Sequence, residues 1–430
     1  MTVRYIFHCA SDNLAAFAKL LARWRGSLYK LLWKETLIFL ALHYFLTLIY
    51  KFLLTGDQRD QFERVIGYVR LKTAFIPVTF ILGAYVAFAV SDRWNQYVSM
   101  IPWPDRSVLQ INAFVHGRDL DGRMLRRTMA RYLNLSCAFI LNEISHAFKK
   151  RFPARKNLVP FLLTEEELDH ISSAEIEYSR SLRQTINLYS MPIEWACSLL
   201  HTARQNGRIN NDAAHVQLHR EFMAFRGNLG SLSCLDWITI PLVYTQVVTI
   251  AVYTFLLSTI LTRKHDIYPA SGISNLENYF PLFTILRFVF YMGWLKVAET
   301  LANPFGEDDD DFEINYIADR NLQISYALVD DFYEKLPDLQ KDVFWIETLP
   351  KTPYYTQISK DLKRRRRVGS AEKLRIPERQ QTVIEDPQAY QSQRQSFFQR
   401  HSISILQQRS RSRDDEASNR NSLSVSTRKS

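Results

Sequence analysis

The chain has 430 residues, a formal net charge of +10 and a mean hydropathy of −0.18, values that by themselves resemble those of a soluble protein. From Asp361 onward there are sixteen Lys and Arg against eight Asp and Glu, so residues 1–360 are close to neutral. This distribution argues against nucleic-acid binding by the main body of the chain. The polar C-terminal part also lowers the average hydropathy and hides several long apolar segments.

Four segments are apolar enough, and close enough to 20 residues long, to be predicted as membrane spans. They are Thr36–Leu54, Thr73–Ser91, Trp237–Thr262 and Asn278–Leu295. Arg287 interrupts the last span; its charge can attract anions, or it can pair with a carboxylate or with lipid headgroups. Basic residues before the first span place both termini in the cytosol. The linkers Thr55–Lys72 and Arg263–Glu277 are then predicted to be short extracytosolic turns.

The long segment between the second and third spans is predicted to be a helical cytosolic body, because no strand-like alternation is present. Thr164 and Glu167 have the spacing of a helix capping box. Gly227 is predicted to end the helix that contains Phe222. Another helix is predicted to run to about Leu336. Beyond Thr352 the sequence is rich in Ser, Gln and Arg, and we expect most of it to be disordered.

The stretch Glu307–Glu313 has six carboxylates in seven positions directly after the fourth apolar segment. Ca²⁺ would compensate this charge density, since it binds six to eight oxygen ligands from carboxylates and carbonyls at about 2.3–2.6 Å. The alternative is an acidic first turn of the following helix, where the helix dipole favours negative charge.

The sequence gives little support for an enzyme. It has no HExxH, P-loop or GxGxxG motif and no set of residues resembling a Ser/His/Asp triad. His215 and His219 are four residues apart, but no carboxylate motif accompanies them, so we interpret them as surface or packed histidines. The four cysteines (Cys9, Cys137, Cys197 and Cys234) have no zinc-like spacing and are predicted to be free thiols.

Several runs of residues resemble the bestrophins, a family of calcium-activated anion channels. The matching runs are Trp24–Lys30, Arg93–Tyr97, Pro102–Arg106, Asp236–Tyr253 and Gly293–Glu299, the last of which leads into the acidic stretch. The resemblance covers about residues 1–355 and implies an all-α, multi-pass membrane protein that forms a homopentamer around a central pore.

With this resemblance the chain is divided into six regions. They are an N-terminal cytosolic segment that contributes to a calcium clasp (1–33), spans one and two with the pore neck (34–92), the helical cytosolic body (93–235), spans three and four (236–300), the acidic clasp with a cytosolic helix (301–352), and a basic regulatory tail (353–430).

The resemblance also implies the site residues. Calcium would be bound by the side chains of Asp308 and Asp311 and by the backbone carbonyls of Ala10, Thr300 and Asn303, with Thr300 in place of the family's usual glutamine. The pore neck would be lined by Ile76, Phe80 and Ala84, where Ala84 replaces an expected phenylalanine. A cytosolic aperture maps to Ala213, where a larger aliphatic residue is usual.

The spacing of Ile76, Phe80 and Ala84 puts them on one face of a helix, which without the resemblance would be read as a core or lipid contact. In a pore, apolar rings gate by expelling water.

In the tail, the basic run Lys363–Arg367 precedes Ser370 and suggests a phosphorylation site that regulates gating; the alternative is a tether to anionic lipid. The predicted function is a calcium-activated channel for chloride and other small anions in the cell membrane, in contact with lipids. The alternative is a multi-pass scaffold or regulator of another ion channel.

Overall fold

The computed structural model describes residues 3, 5, 14–73, 75–182, 188–262 and 280–347, and in the C-terminal region 356–359, 368–372, 374–378, 381, 391 and 395–396. These residues form helices and loops with no β-strand, as predicted. The chain forms two units, Met1–Asp338 and Leu339–Ser430. The predicted turn at 263–277 and most of the predicted disorder beyond Thr352 lie outside the described residues.

The α-helices described in the first unit follow one another along the chain. They are α1 (Leu14–Leu21), α2 (Leu28–Leu48), α3 (Gly56–Thr73), α4 (Val78–Ala87), α5 (Asn95–Met100), α6 (Asp105–Phe114), α7 (Leu120–Ile144), α8 (His146–Arg151), α9 (Glu165–Leu182), α10 (Met191–Gln205), α11 (Asp212–Trp237), α12 (Leu242–Thr262), α13 (Leu282–Leu301) and α14 (Ile314–Tyr326). Wider π-helical segments extend α2 (Ile49–Leu53), α4 (Phe88–Trp94) and α14 (Ala327–Asp331).

Two of the described helices are long and apolar enough to cross a membrane, namely Leu28–Leu53 and α12. A third candidate exists if α3 and the helical run from Val78, which meet at a bend of 46°, form one span. The predicted fourth span coincides with α13, whose charged Arg287, Lys296 and Glu299 make it less apolar. The predicted spans therefore fall on helices, but the number of membrane crossings stays a prediction.

The apolar helices α2, α4, α12 and α13 share one core. Its largest members include Phe39 and Phe288, whose ring centroids are 4.4 Å apart, and Tyr85, which is almost completely buried. The same helices expose large apolar side chains on their other faces, for example Phe45 and Phe290. Exposed apolar faces on this scale are typical of surfaces covered by lipid or by another chain.

A second core belongs to the helices predicted as the cytosolic body. It is centred on α7, which packs against α10, α11 and α14. Met129, Leu133, Ile140 and Ile144 recur at helical spacing and are buried along α7. Helix α7 ends at Ile144. The side chain of the next residue, Ser145, accepts a hydrogen bond from the N–H of Phe148 and so caps the start of α8.

The structure corrects three boundary predictions. The segment Thr55–Lys72 is not a short turn, because Gly56–Thr73 forms helix α3, which buries Ile66 and packs against α12. Gly227 does not end its helix, because α11 continues to Trp237. A glycine inside a helix costs only about 1 kcal/mol, and the buried Leu229 and Leu232 beyond it offset that cost. The helix predicted to reach Leu336 ends at Asp331.

Candidate functional site

The acidic stretch lies in the loop between α13 and α14 and not in a helical turn. Helix α14 begins at Ile314 and has no acidic residue in its first turn. The backbone N–H of Phe312 donates to the carbonyl of Pro304 at 2.9 Å and closes the loop. The side chain of Phe305 is buried and packs edge-to-face on both Phe312 and Tyr97. The acidic first turn considered as an alternative is therefore absent.

Asp311 is the buried carboxylate of this loop, with 5% of its surface exposed. Its Oδ2 accepts a hydrogen bond from the N–H of Asp308 at 2.7 Å. A Cβ atom on Gly306 would lie 2.7 Å from the same oxygen, so only glycine allows this close approach. Burial, with the nearby Asp308 and Asp310, raises the pKa of Asp311 to about 6. This carboxylate is therefore in an environment that a positive charge would stabilise.

Asp309 joins the loop to the N-terminal end of α2. Its carboxylate accepts hydrogen bonds from the backbone N–H of Gly26, at 3.0 Å, and from Nζ of Lys30. The hydrogen bond from Lys30 lowers the pKa of Asp309. Asp310 lies beside Gly26 as well, and burial raises the pKa of its carboxyl. Three adjacent aspartates thus have three different environments.

The other predicted calcium ligands lie around this loop. Thr300 is in the last turn of α13, where the final carbonyls lack the N–H partner of a continuing helix, and only that of Glu299 is bonded by the capping residue Ala302, at 3.3 Å. Thr300 and Asp308 line one cavity of about 780 Å³ together with Lys30 and Trp94. The Oδ1 atom of Asn303 accepts from the N–H of Phe305 at 3.3 Å, which leaves the Asn303 carbonyl near Gly306.

These residues fit a calcium ion in their chemistry. They combine a buried carboxylate with further carboxylates and with carbonyls at the negative end of a helix dipole. Within the described part of the chain, no group of three or more His, Cys, Asp and Glu side chains is arranged to bind a metal, so such a site would depend on backbone carbonyls. Ala10, the fifth predicted ligand, lies outside the described residues.

The predicted neck residues do not all share one helix. Phe80 and Ala84 lie on the same exposed face of α4, and 75% of the surface of Phe80 is accessible. Ile76 is half-buried and precedes Pro77, the residue at which α4 is capped. The predicted helical spacing therefore holds for Phe80 and Ala84 but is wrong for Ile76, because the chain breaks at Pro77.

The predicted aperture residue, Ala213, is exposed in the first turn of α11. It lines a cavity of about 430 Å³ with polar neighbours such as His116 and Gln217. The loop before it is anchored by Arg208, which makes two hydrogen bonds of 2.7 and 2.6 Å to Asp119. These hydrogen bonds lower the pKa of Asp119 to about 2. Sequence reasoning missed this anchor, since the two residues lie far apart in the chain.

Two further predicted residues are exposed. Arg287 lies on the outer face of α13 between the exposed rings of Phe283 and Phe290. Ser370 is exposed in the second unit, whereas the basic run 363–367 before it lies outside the described residues.

A family model described as "Bestrophin, RFP-TM, chloride channel" matches residues 1–331. The chain is 44% identical over 356 residues to Bestrophin-2 of Mus musculus, covering 82% of this chain and 68% of that protein. It is 42% identical over 372 residues to Bestrophin-1 of Homo sapiens, covering 86% of this chain and 62% of that protein.

Among solved structures, a single-substitution variant of a bacterial bestrophin homologue from Klebsiella pneumoniae superposes with a TM-score of 0.53 at 15% identity, over 69% of this chain and 99% of the bacterial one. That likeness supports the fold. The match to the family model and the sequence identity to these relatives show that the chain belongs to the bestrophin family of chloride channels.

Proposed function

We propose that this chain forms a calcium-activated anion channel that passes chloride and other small anions. Membership in a family described as chloride channels supports the transported ion. The observation that supports calcium control is the fold of the acidic loop, in which the buried Asp311 lies close to Asp308 and Asp309 binds Gly26 and Lys30. The loop thereby joins the N-terminal end of α2 to the end of α13.

The proposed calcium ligands are the side chains of Asp308 and Asp311 and the carbonyls of Ala10, Thr300 and Asn303. Bound calcium would supply positive charge to carboxylates that otherwise repel one another. The protein residues hold this arrangement together: Asp309 ties the loop to Lys30, and Phe305 and Phe312 pack against Tyr97 and Trp94. A change in the loop's charge would thus act directly on the segment Arg93–Tyr97, which follows α4.

We place four spans in the cell membrane, with both termini and the second core in the cytosol. The spans are Leu28–Leu53, the run beginning near Ile76, α12 and α13. In α13 the charge of Lys296 is offset by Glu299, at 3.0 Å, and by Glu35 on α2, at 3.9 Å. These contacts support a position for Lys296 near the end of the span, where charged residues are tolerated best.

We further propose that five copies surround one pore, with α4 facing the axis. Phe80 and Ala84 are exposed on a helix whose opposite side is buried in the shared core, and an axial position would cover them. Ile76 would form the ring at the entrance of this helix. Ala213 would line a second, wider aperture in the cytosol, and Ser370 would regulate gating from the tail.

A flux assay separates the channel from a scaffold or regulator of another channel. The purified full-length chain is reconstituted alone into chloride-loaded liposomes, and chloride efflux is measured with an ion-selective electrode in the presence of calcium. A channel gives efflux well above that of protein-free liposomes. Efflux equal to the protein-free control would favour the scaffold.

A further inference from the structure

A third cavity, separate from the acidic loop, lies between the helical run that follows α4 and helix α11. Its volume is about 590 Å³, within the usual range of about 300–1,000 Å³ for small-molecule sites. It is lined by Arg93, Gln96, Met100, Tyr189, Arg226, Gly227, Gly230, Ser231, Cys234, Leu235 and Ile238. Two arginines thus line a cavity to which no described carboxylate contributes.

The protein provides acceptors for only part of the hydrogen-bonding capacity of the Arg93 guanidinium. One of its terminal nitrogens, Nη2, donates to the carbonyl of Ile238 at 2.7 Å. Its Nε is buried and has no hydrogen-bond partner among the described residues. A buried guanidinium donor without an acceptor is unfavourable, and an anion in the adjacent cavity would supply the acceptor.

Arg226 enters the cavity from α11 and is held by two neighbours. Its Nε donates to the hydroxyl of Ser190 at 3.3 Å, and its guanidinium carbon lies 5.6 Å from the centre of the Tyr189 ring. Neither contact neutralises its charge. No ion pair links Arg93 or Arg226 to a carboxylate in the described ranges, so both charges are available to a ligand.

Small residues on α11 provide the space. A Cβ atom on Gly227 would meet no atom within 4 Å, so this glycine faces open volume. A Cβ on Gly230 would lie 2.9 Å from the hydroxyl of Tyr189, so this glycine lets the tyrosine approach the helix. Met100, Leu235 and Ile238 add an apolar wall, and Gln96 and Ser231 add neutral donors.

We infer that this cavity binds a small organic carboxylate. Its charged group would lie against Arg93 and Arg226, because planar guanidinium groups match carboxylate oxygens in pairs. Its apolar body would contact Met100, Leu235 and Ile238. The cavity is far larger than a single chloride ion, and a purely inorganic anion would leave the apolar wall unused. Binding here is independent of whether the chain conducts ions.

Benzoate is a suitable probe because it combines a carboxylate with a compact apolar ring. Equilibrium binding of radiolabelled benzoate is measured on the detergent-purified full-length chain at a fixed chloride concentration. The wild type is expected to bind benzoate saturably, and unlabelled benzamide, which has the same ring without the charge, should not displace it. Arg93→Gln and Arg226→Gln should each weaken binding about tenfold or more, the loss typical of a charge-assisted hydrogen bond.

Two further variants distinguish a loss of benzoate binding from a loss of folding. Gly227→Leu fills the open volume without removing a charge, and it is favoured in a helix, so it should fold and also lose benzoate binding. Arg220→Gln removes an exposed arginine from the same helix outside the cavity and should bind like the wild type. The inference is overturned if the wild type does not bind benzoate saturably. Binding by Gly227→Leu equal to that of Arg220→Gln would overturn it too.

Discussion

The backbone N–H of Gly26 donates a hydrogen bond of 3.0 Å to the carboxylate of Asp309, a residue 283 positions further along the chain. Gly26 has a φ of +65°, and a Cβ there would lie 2.9 Å from Val3 Cγ2 and 3.3 Å from Asp310 Oδ1. The contact therefore depends on glycine for its backbone conformation and for its space.

Gly26→Ala is expected to lower the free energy of unfolding by at least about 1–2 kcal/mol, the cost of a left-handed conformation for an L-residue. The midpoint of thermal unfolding of the purified chain measures this. Gly67→Ala is the matched control, because a Cβ on Gly67 in α3 meets nothing within 4 Å. If the two variants unfold at the same temperature, Gly26 does not hold this contact.

The second prediction concerns Arg131 and Glu167 in the helical body. Burial raises the pKa of Glu167, but hydrogen bonds from Arg131, from the N–H of Thr164 and from Tyr132 outweigh it and lower the pKa to about 2. The folded-state pKa is thus below the ordinary value of 4.5. The carboxylate therefore stabilises the fold fully above pH ~4.5, and this contribution is lost as the pH falls toward ~2.

Glu167→Gln should accordingly destabilise the protein by about 1–3 kcal/mol at pH 7, the cost of disrupting a half-buried charged hydrogen-bond network. The difference from wild type should shrink as the pH falls below ~4.5. The free energy of unfolding of both proteins is measured by chemical denaturation at pH 7, 5 and 3.5. Glu166→Gln, in the same helical turn, is the control. A difference that is constant with pH would contradict the ion pair.

The sequence predicted part of this network and missed the rest. The Thr164–Glu167 capping box is local, and both of its hydrogen bonds are present, at 2.9 and 3.3 Å. The Arg131 partner comes from a different helix, and no local pattern marks it. The same holds for Asp309 and Gly26, whose contact depends on how distant segments pack. The resemblance to the bestrophins selected Asp308 and Asp311 and left Asp309 without a role.

Helix type and helix position were predictable where the apolar signal extended over many residues, as a periodic face in α7 and as a long uncharged segment in α12. The predicted helix boundaries were wrong where they depended on a single residue. Gly227 is followed by apolar residues that continue its helix, and Pro77, which lies inside the predicted span Thr73–Ser91, precedes the first residue of α4. The polar α3 has few apolar residues to mark its face, so its helical structure was missed.

The third prediction concerns the neck. Shortening Ile76 and Phe80 together to Ala should make the anion current largely independent of calcium, because smaller rings leave room for water in the closed pore. Planar-bilayer recordings with and without calcium measure this. Leu82→Ala is the control: Leu82 is buried on the other side of α4, so its truncation should cost about 2–5 kcal/mol of stability but leave calcium control intact.

Full calcium control in the Ile76/Phe80 double variant would argue against a gate at this position. Ala84→Phe provides an independent check, since a larger side chain on the exposed face of α4 should reduce the single-channel conductance. Unchanged conductance would mean that this face does not line the pore.

The fourth prediction concerns Ser370 in the tail. A phosphate there would add nearly two negative charges close in sequence to the basic run 363–367. Ser370→Glu channels and channels truncated after Lys360 are therefore expected to differ from the wild type in the decay of current over minutes at fixed calcium. Ser359→Glu, at a half-buried serine that precedes the basic run, serves as the charge control. Identical time courses in all four proteins would leave the lipid tether as the role of the tail.

The most direct test of calcium activation is the calcium dose–response of chloride current for wild type, Asp308→Ala and Asp311→Ala in planar bilayers. The wild type should open at micromolar calcium. Each variant should need at least about tenfold more, because it loses a charged oxygen ligand. Asp338→Ala, which removes an exposed carboxylate outside the loop, should respond like the wild type. A dose–response for Asp311→Ala that superimposes on that of the wild type would contradict the proposed calcium site.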